Sequence, residues 1–110
     1  MPWLPQPAGW SQLSVEAQEH DPDSMLTLYR RALQQRRELP ALGAGTARDV
    51  HWVDMGAHVV AFTRDPRFMC VLNVGPEPLP LPYGELLLAS DPVFDGGELP
   101  QDTAAWLRTP

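Results

Sequence analysis

Apolar residues first recur at helical spacing at Met25, Leu28, Tyr29, Ala32 and Leu33, three and four positions apart, as one face of an α-helix requires. Asp21 is placed to cap that helix, Pro22 suits its first turn, and Asp23 favours the positive end of its dipole. Arg30, Arg31, Arg36 and Arg37 gather toward the other end, and Leu39-Pro40 closes the run. The pattern predicts a helix over 22–38 with an apolar stripe that serves a core. Residues 1–20 carry Trp3, Pro5, Pro7 and Trp10 with no sustained period. They read as irregular chain, with a short helical turn from Ser14 to Glu19 capped by Ser14.

After Gly43-Ala44-Gly45 the period shortens to two. Val50, Trp52 and Met55 alternate with Arg48, His51 and Asp54, the mark of a strand with one wet face. Val59 to Phe62 predicts a second strand, and Asp65-Pro66 the turn after it. Phe68 to Val74 is almost wholly apolar and predicts a central strand buried on both faces. Leu79–Leu81 predicts a short edge piece among prolines that cannot donate to a ladder. Glu85–Ser90 and Ala104–Arg108 complete the set. One helix followed by five or six strands, with no helices between them to make parallel crossovers, predicts an antiparallel sheet. The fold class is mainly β with one N-terminal helix, and the two parts meet near residues 40–47.

Composition limits what such a chain can be. Its 110 residues suffice for one modest core, not for an eight-stranded catalytic barrel of roughly 250 residues. The 13 prolines favour short elements. A net charge of −6 disfavours nucleic acid and anionic membranes as partners. Cys70 is the single cysteine, so no internal disulfide forms. No apolar run reaches the roughly 18 residues of a membrane span. The N-terminus has no basic start followed by an apolar stretch, and a cytoplasmic location is expected.

Candidate chemistry is sparse. Asp21, Asp23, Asp49, Asp54, Asp65, Asp91, Asp95 and Asp102 nearly all neighbour Pro, Gly or another turn former, so they read as caps and turns, and no pair stands out for acid–base work. His20, His51 and His58 lack metal-ligand spacing to one another or to Cys70; the latter two are expected on solvated strand faces. Cys70 lies among Phe68, Met69, Val71 and Leu72 and reads as a buried, inert thiol. Trp3, Trp10, Trp52 and Trp106 suit structural anchoring better than sugar stacking. Trp52 and Trp106 lie far apart in the sequence, whereas a sugar platform needs aromatics in line. The sequence offers no catalytic, cofactor-binding or metal-binding residue.

Several motifs follow one another in a recognisable order: Pro2-Trp3-Leu4-Pro5, Val15-Glu16-Ala17-Gln18, Asp21-Pro22-Asp23-Ser24-Met25-Leu26, Tyr29-Arg30-Arg31 and Leu39-Pro40-Ala41-Leu42. This stretch resembles the last barrel segment of family 13 glycoside hydrolases of the α-glucosidase and oligo-1,6-glucosidase type. Val59–Arg64, Cys70–Val74, Leu86–Ser90 and Leu99–Leu107 resemble strands of the antiparallel β domain that follows the barrel in that family. Ala32-Leu33-Gln34-Gln35-Arg36-Arg37 is more polar than the family's helix. The family's catalytic carboxylates belong to earlier barrel strands, so none carries over to this chain.

The resemblance implies an irregular segment and last barrel helix over 1–42 and an antiparallel, sandwich-like β domain over 43–110. It implies a non-catalytic C-terminal part of a retaining α-glucosidase, bracing the catalytic barrel, with Trp3 near the substrate rim. The expected partners are that barrel and, for the isolated chain, a second copy through the helix face. The rival readings are a free-standing carbohydrate-binding module and a protein-interaction β module.

Overall fold

The computed structural model describes residues 3–44, 50–93 and 97–110. Pro2, Gly45, Arg48, Asp49 and Asp95, used in the sequence reading, lie outside the described residues. The chain divides into two compact units, residues 1–34 and 35–110. The division falls inside the long helix rather than after residue 42.

In the first unit, residues 8–13 form a 3-10 helix, more order than the sequence predicts. Ser14 then caps α1 (Val15–Gln18), its Oγ accepting the Ala17 N–H at 3.1 Å. The long helix, α2 (Met25–Glu38), starts later than expected. Asp21 does not cap it, because its Oδ1 takes the Asp23 N–H at 2.9 Å and closes a local turn. Ser24, which is buried, caps instead: its Oγ accepts the Thr27 N–H and its carbonyl the Leu28 N–H. The side chain of Gln18 ties the two helices, donating to the Leu13 carbonyl and accepting the Leu26 N–H. The expected core stripe is not one, since no α2 residue is buried. Met25, Tyr29 and Leu33 are exposed, and Leu28 and Ala32 are half-buried.

The second unit begins with the last turn of α2 and a π-type turn, Pro40–Ala44. Its strands are β1 (Val50–Val53), β2 (Val59–Arg64), β3 (Phe68–Asn73), β4 (Leu79–Pro80), β5 (Glu85–Ala89), β6 (Glu98–Leu99) and β7 (Thr103–Arg108). They make a five-stranded sheet in the order β1-β2-β3-β7-β5 and a two-stranded sheet of β4 and β6. All pairings are antiparallel. β3 is central, as its apolar run predicts. Leu79–Pro80 is not an edge of the main sheet; it pairs with β6, a two-residue strand too short for any period to announce.

Register decides which residues share a face, because directly opposed residues point the same way. Ala61, Val71 and Ala105 oppose one another across β2, β3 and β7, and Met69 opposes Leu107. These five, with Leu99 of β6, form the buried core; Leu79, Leu81, Val53 and Val59 pack against them. The core therefore lies between one face of the large sheet and the small sheet.

Asn73 joins the two sheets. It is 2% exposed. Its Nδ2 lies 2.9, 3.1 and 3.3 Å from the carbonyls of Glu77, Leu99 and Pro100, and its Oδ1 accepts the Gly75 N–H. A buried amide is tolerated where every polar atom is satisfied in this way. Gly75 has no room for more, since an added Cβ would sit 2.7 Å from that of His58.

Candidate functional site

The carboxylates act as turn formers. Asp21 closes the turn before α2, and Asp54 Oδ1 accepts the Gly56 N–H at 3.1 Å. Asp102 occupies a left-handed turn (φ 55°) ahead of β7. Asp23, Asp65 and Asp91 are exposed. Among the described residues no cluster of three His, Cys, Asp or Glu side chains forms. His20, His51 and His58 are exposed, and His58 lies in the turn before β2 rather than on a strand. No described helix is long and apolar enough to cross a membrane.

Cys70 is half-buried rather than fully buried. Burial raises its thiol pKa, and a hydrogen bond with Trp106 only partly opposes that. The protonated form is held, so the thiol is a poor nucleophile.

The tryptophans diverge. Trp3 is 93% exposed, in irregular chain ahead of the 3-10 helix. Trp52 and Trp106, remote in sequence, fall on one cross-strand row of the large sheet. Trp52 opposes Phe62, Phe62 opposes Cys70, Cys70 opposes Trp106, and Trp106 opposes Leu88. Trp52 and Phe62 meet edge-to-face with ring centres 5.8 Å apart, as do Phe68 and Trp106. The row lies on the face of the sheet opposite the core. Val50, Val60 and Leu72 extend it. Arg64, Arg108 and Glu85 confine charge to one end, and Glu85 and Arg108 pair at 3.0 Å. Trp52 is 72% exposed; Phe62 and Trp106 are half-buried.

The first unit has a second apolar surface. Trp3, Leu4, Trp10, Leu13, Val15, Met25, Tyr29 and Leu33 are each more than half exposed. Sequence reasoning found the helical part of this surface from its period. It missed the sheet row, because only register brings distant strands side by side.

A concavity of about 170 Å³ belongs to the second unit. Leu39, Pro40 and Ala41 form one wall, Phe68 and Leu87 another, with Arg67 and Arg108 among the lining residues. The Leu87 wall is braced by α2, whose Gln35 Nε2 donates to the Leu87 carbonyl at 2.7 Å. Leu87 is the extra residue of a bulge between Leu86 and Leu88, which leaves its carbonyl free of the ladder.

No family model and no curated protein matches this chain.

Proposed function

We propose that this chain is the non-catalytic C-terminal part of a retaining, cytoplasmic α-glucosidase of family 13. In this reading residues 1–42 are the last barrel segment, and the β unit is the sandwich-like domain that follows it. The observation that carries the reading is the apolar surface between Trp3 and Leu33. Eight large side chains there are more than half exposed, in the same stretch whose ordered motifs resemble the last barrel segment. Large apolar side chains left open in such number within one short segment point to a covering partner, and a catalytic barrel is the body that would cover them. The chain's part is then structural: it closes one side of the barrel, with Trp3 toward the substrate rim. It supplies no acid and no nucleophile, both of which glycosidic cleavage needs.

The test has two arms. Purified chain incubated with a chromogenic α-glucoside is expected to show no turnover above the buffer blank. Mixed with a family 13 α-glucosidase barrel that lacks its own C-terminal segment, it is expected to co-elute on gel filtration. Turnover that survives repurification, or a barrel that does not retain the chain, overturns the reading.

The row of Trp52, Phe62 and Trp106 favours a second reading, a free-standing sugar-binding module. Aromatics in line on a sheet face are what such a module uses. Against it, the row offers only indole N–H groups and the Cys70 thiol, which is already hydrogen-bonded with Trp106, whereas recognition of a hydroxyl-rich ligand needs several placed polar groups. Titration with maltose, followed by tryptophan fluorescence, separates the readings. A saturable change that Trp52→Ala abolishes supports the module, and no change overturns it.

A further inference from the structure

Arg67 stands at φ 58°, the left-handed region. Glycine or asparagine occupies that region at little cost, whereas a long side chain does so against a steric penalty. Two hydrogen bonds fix this one: its Nε donates to the Thr109 carbonyl at 2.9 Å, and its carbonyl accepts the Thr109 N–H at 2.9 Å. No protein group among the described residues bonds its terminal nitrogens. The neighbouring guanidinium, Arg108, is already paired with Glu85. Among the described residues Arg67 is thus a held cation with no ion-pair partner, lining a concavity of about 170 Å³. Phe68 and Ala41, both buried, are among its apolar walls.

The size and chemistry of that concavity define a ligand. An apolar cavity of about 150 Å³ accommodates a benzene-sized body. A planar guanidinium matches the two oxygens of a carboxylate. We propose that the pocket between Leu39–Ala41 and the β2–β3 turn binds a small aromatic monocarboxylate, its ring against Phe68 and Leu87 and its carboxylate on Arg67. This proposal does not depend on the reading of the chain as part of a glucosidase.

Sodium benzoate is the probe, followed by amide chemical shifts of the full chain, with benzyl alcohol as the uncharged control. For a ligand of this size the dissociation constant is expected on the order of a millimolar. The amides of Ala41, Phe68 and Leu87 should shift together and saturate, and benzoate should bind about tenfold tighter than benzyl alcohol. Arg67→Gln should erase that difference while leaving the melting temperature close to wild type, since Arg67 is exposed. Shifts that stay linear to about 20 mM, that scatter away from the pocket, or that persist unchanged in Arg67→Gln overturn the proposal. If the variant does not fold, equal affinity of the wild type for benzoate and benzyl alcohol overturns it by itself.

Discussion

Val71 and Leu72 are neighbours on β3, yet they differ sharply in environment. Val71 is fully buried in the core, whereas Leu72 lies half-buried on the opposite face. Val71→Ala should cost about 2–3 kcal/mol and Leu72→Ala roughly half that, by transfer and cavity terms. Urea unfolding of the two variants checks the order, and a larger loss at Leu72 would reverse the assignment of faces. Asn73→Ala should cost about 2–4 kcal/mol, because it strips partners from the Leu99 carbonyl of β6 and the Glu77 carbonyl of the loop before β4. Asn73→Asp should also destabilise, since the charged side chain has no donor to give those carbonyls. Cys70 carries the pH-dependent prediction. Its folded pKa is raised by burial, so the neutral thiol is the form the fold favours. That stabilisation is complete below the pKa of the unfolded thiol and is lost as pH rises through the folded value. At one mildly alkaline pH, iodoacetamide should label the folded chain much more slowly than the chain in urea. Equal rates would mean the thiol is open to solvent. At this scale the sequence was informative about chemistry: the raised pKa of Cys70 follows from the apolar company it keeps.

α2 is the element whose existence the sequence announces best and whose environment it misjudges. A period of three and four makes a helix with an apolar face, but period cannot say which body covers that face. Met25, Tyr29 and Leu33 lie exposed along it. Fully burying such side chains is worth about 1.5–3 kcal/mol each, a strong incentive for the isolated chain to self-associate. Analytical ultracentrifugation at micromolar concentration should show a dimer or larger species. Tyr29→Glu should shift it toward monomer, with little change in sheet stability, as for other exposed substitutions. A wild-type chain that sediments as a monomer would show that the stripe has no such pull. The start of α2 illustrates a second limit. Asp21 and Ser24 are both good caps, and only the folded chain shows Asp21 spent on its own turn. Among the strands, β3 was legible from its unbroken apolar run. β6 was not, because its two residues gain strand geometry only from pairing with β4.

For the molecule as a whole, the buried hydrophobic residues among those described all lie between Ala41 and Leu107. Removal of residues 1–34 should therefore leave a chain that still unfolds cooperatively with a β-type circular dichroism spectrum. A non-cooperative melt would show that the first unit is needed to complete the core. The same deletion removes most of the large exposed apolar side chains, so it should also raise solubility.

The sequence by itself determined the helix, most of the strands and their antiparallel arrangement. Those follow from local period, from proline and glycine punctuation, and from the lack of crossover helices. It also supplied the motif order that underlies the proposed function. Tertiary structure alone decided the pairing of β4 with β6, the role of Asn73 and the juxtaposition of Trp52 with Trp106. It also decided the place of Arg67 at an apolar pocket. Each of these joins residues distant along the chain, and their proximity depends on strand order and register. No local pattern encodes these; they are fixed only when the faces of the sheet find what they pack against.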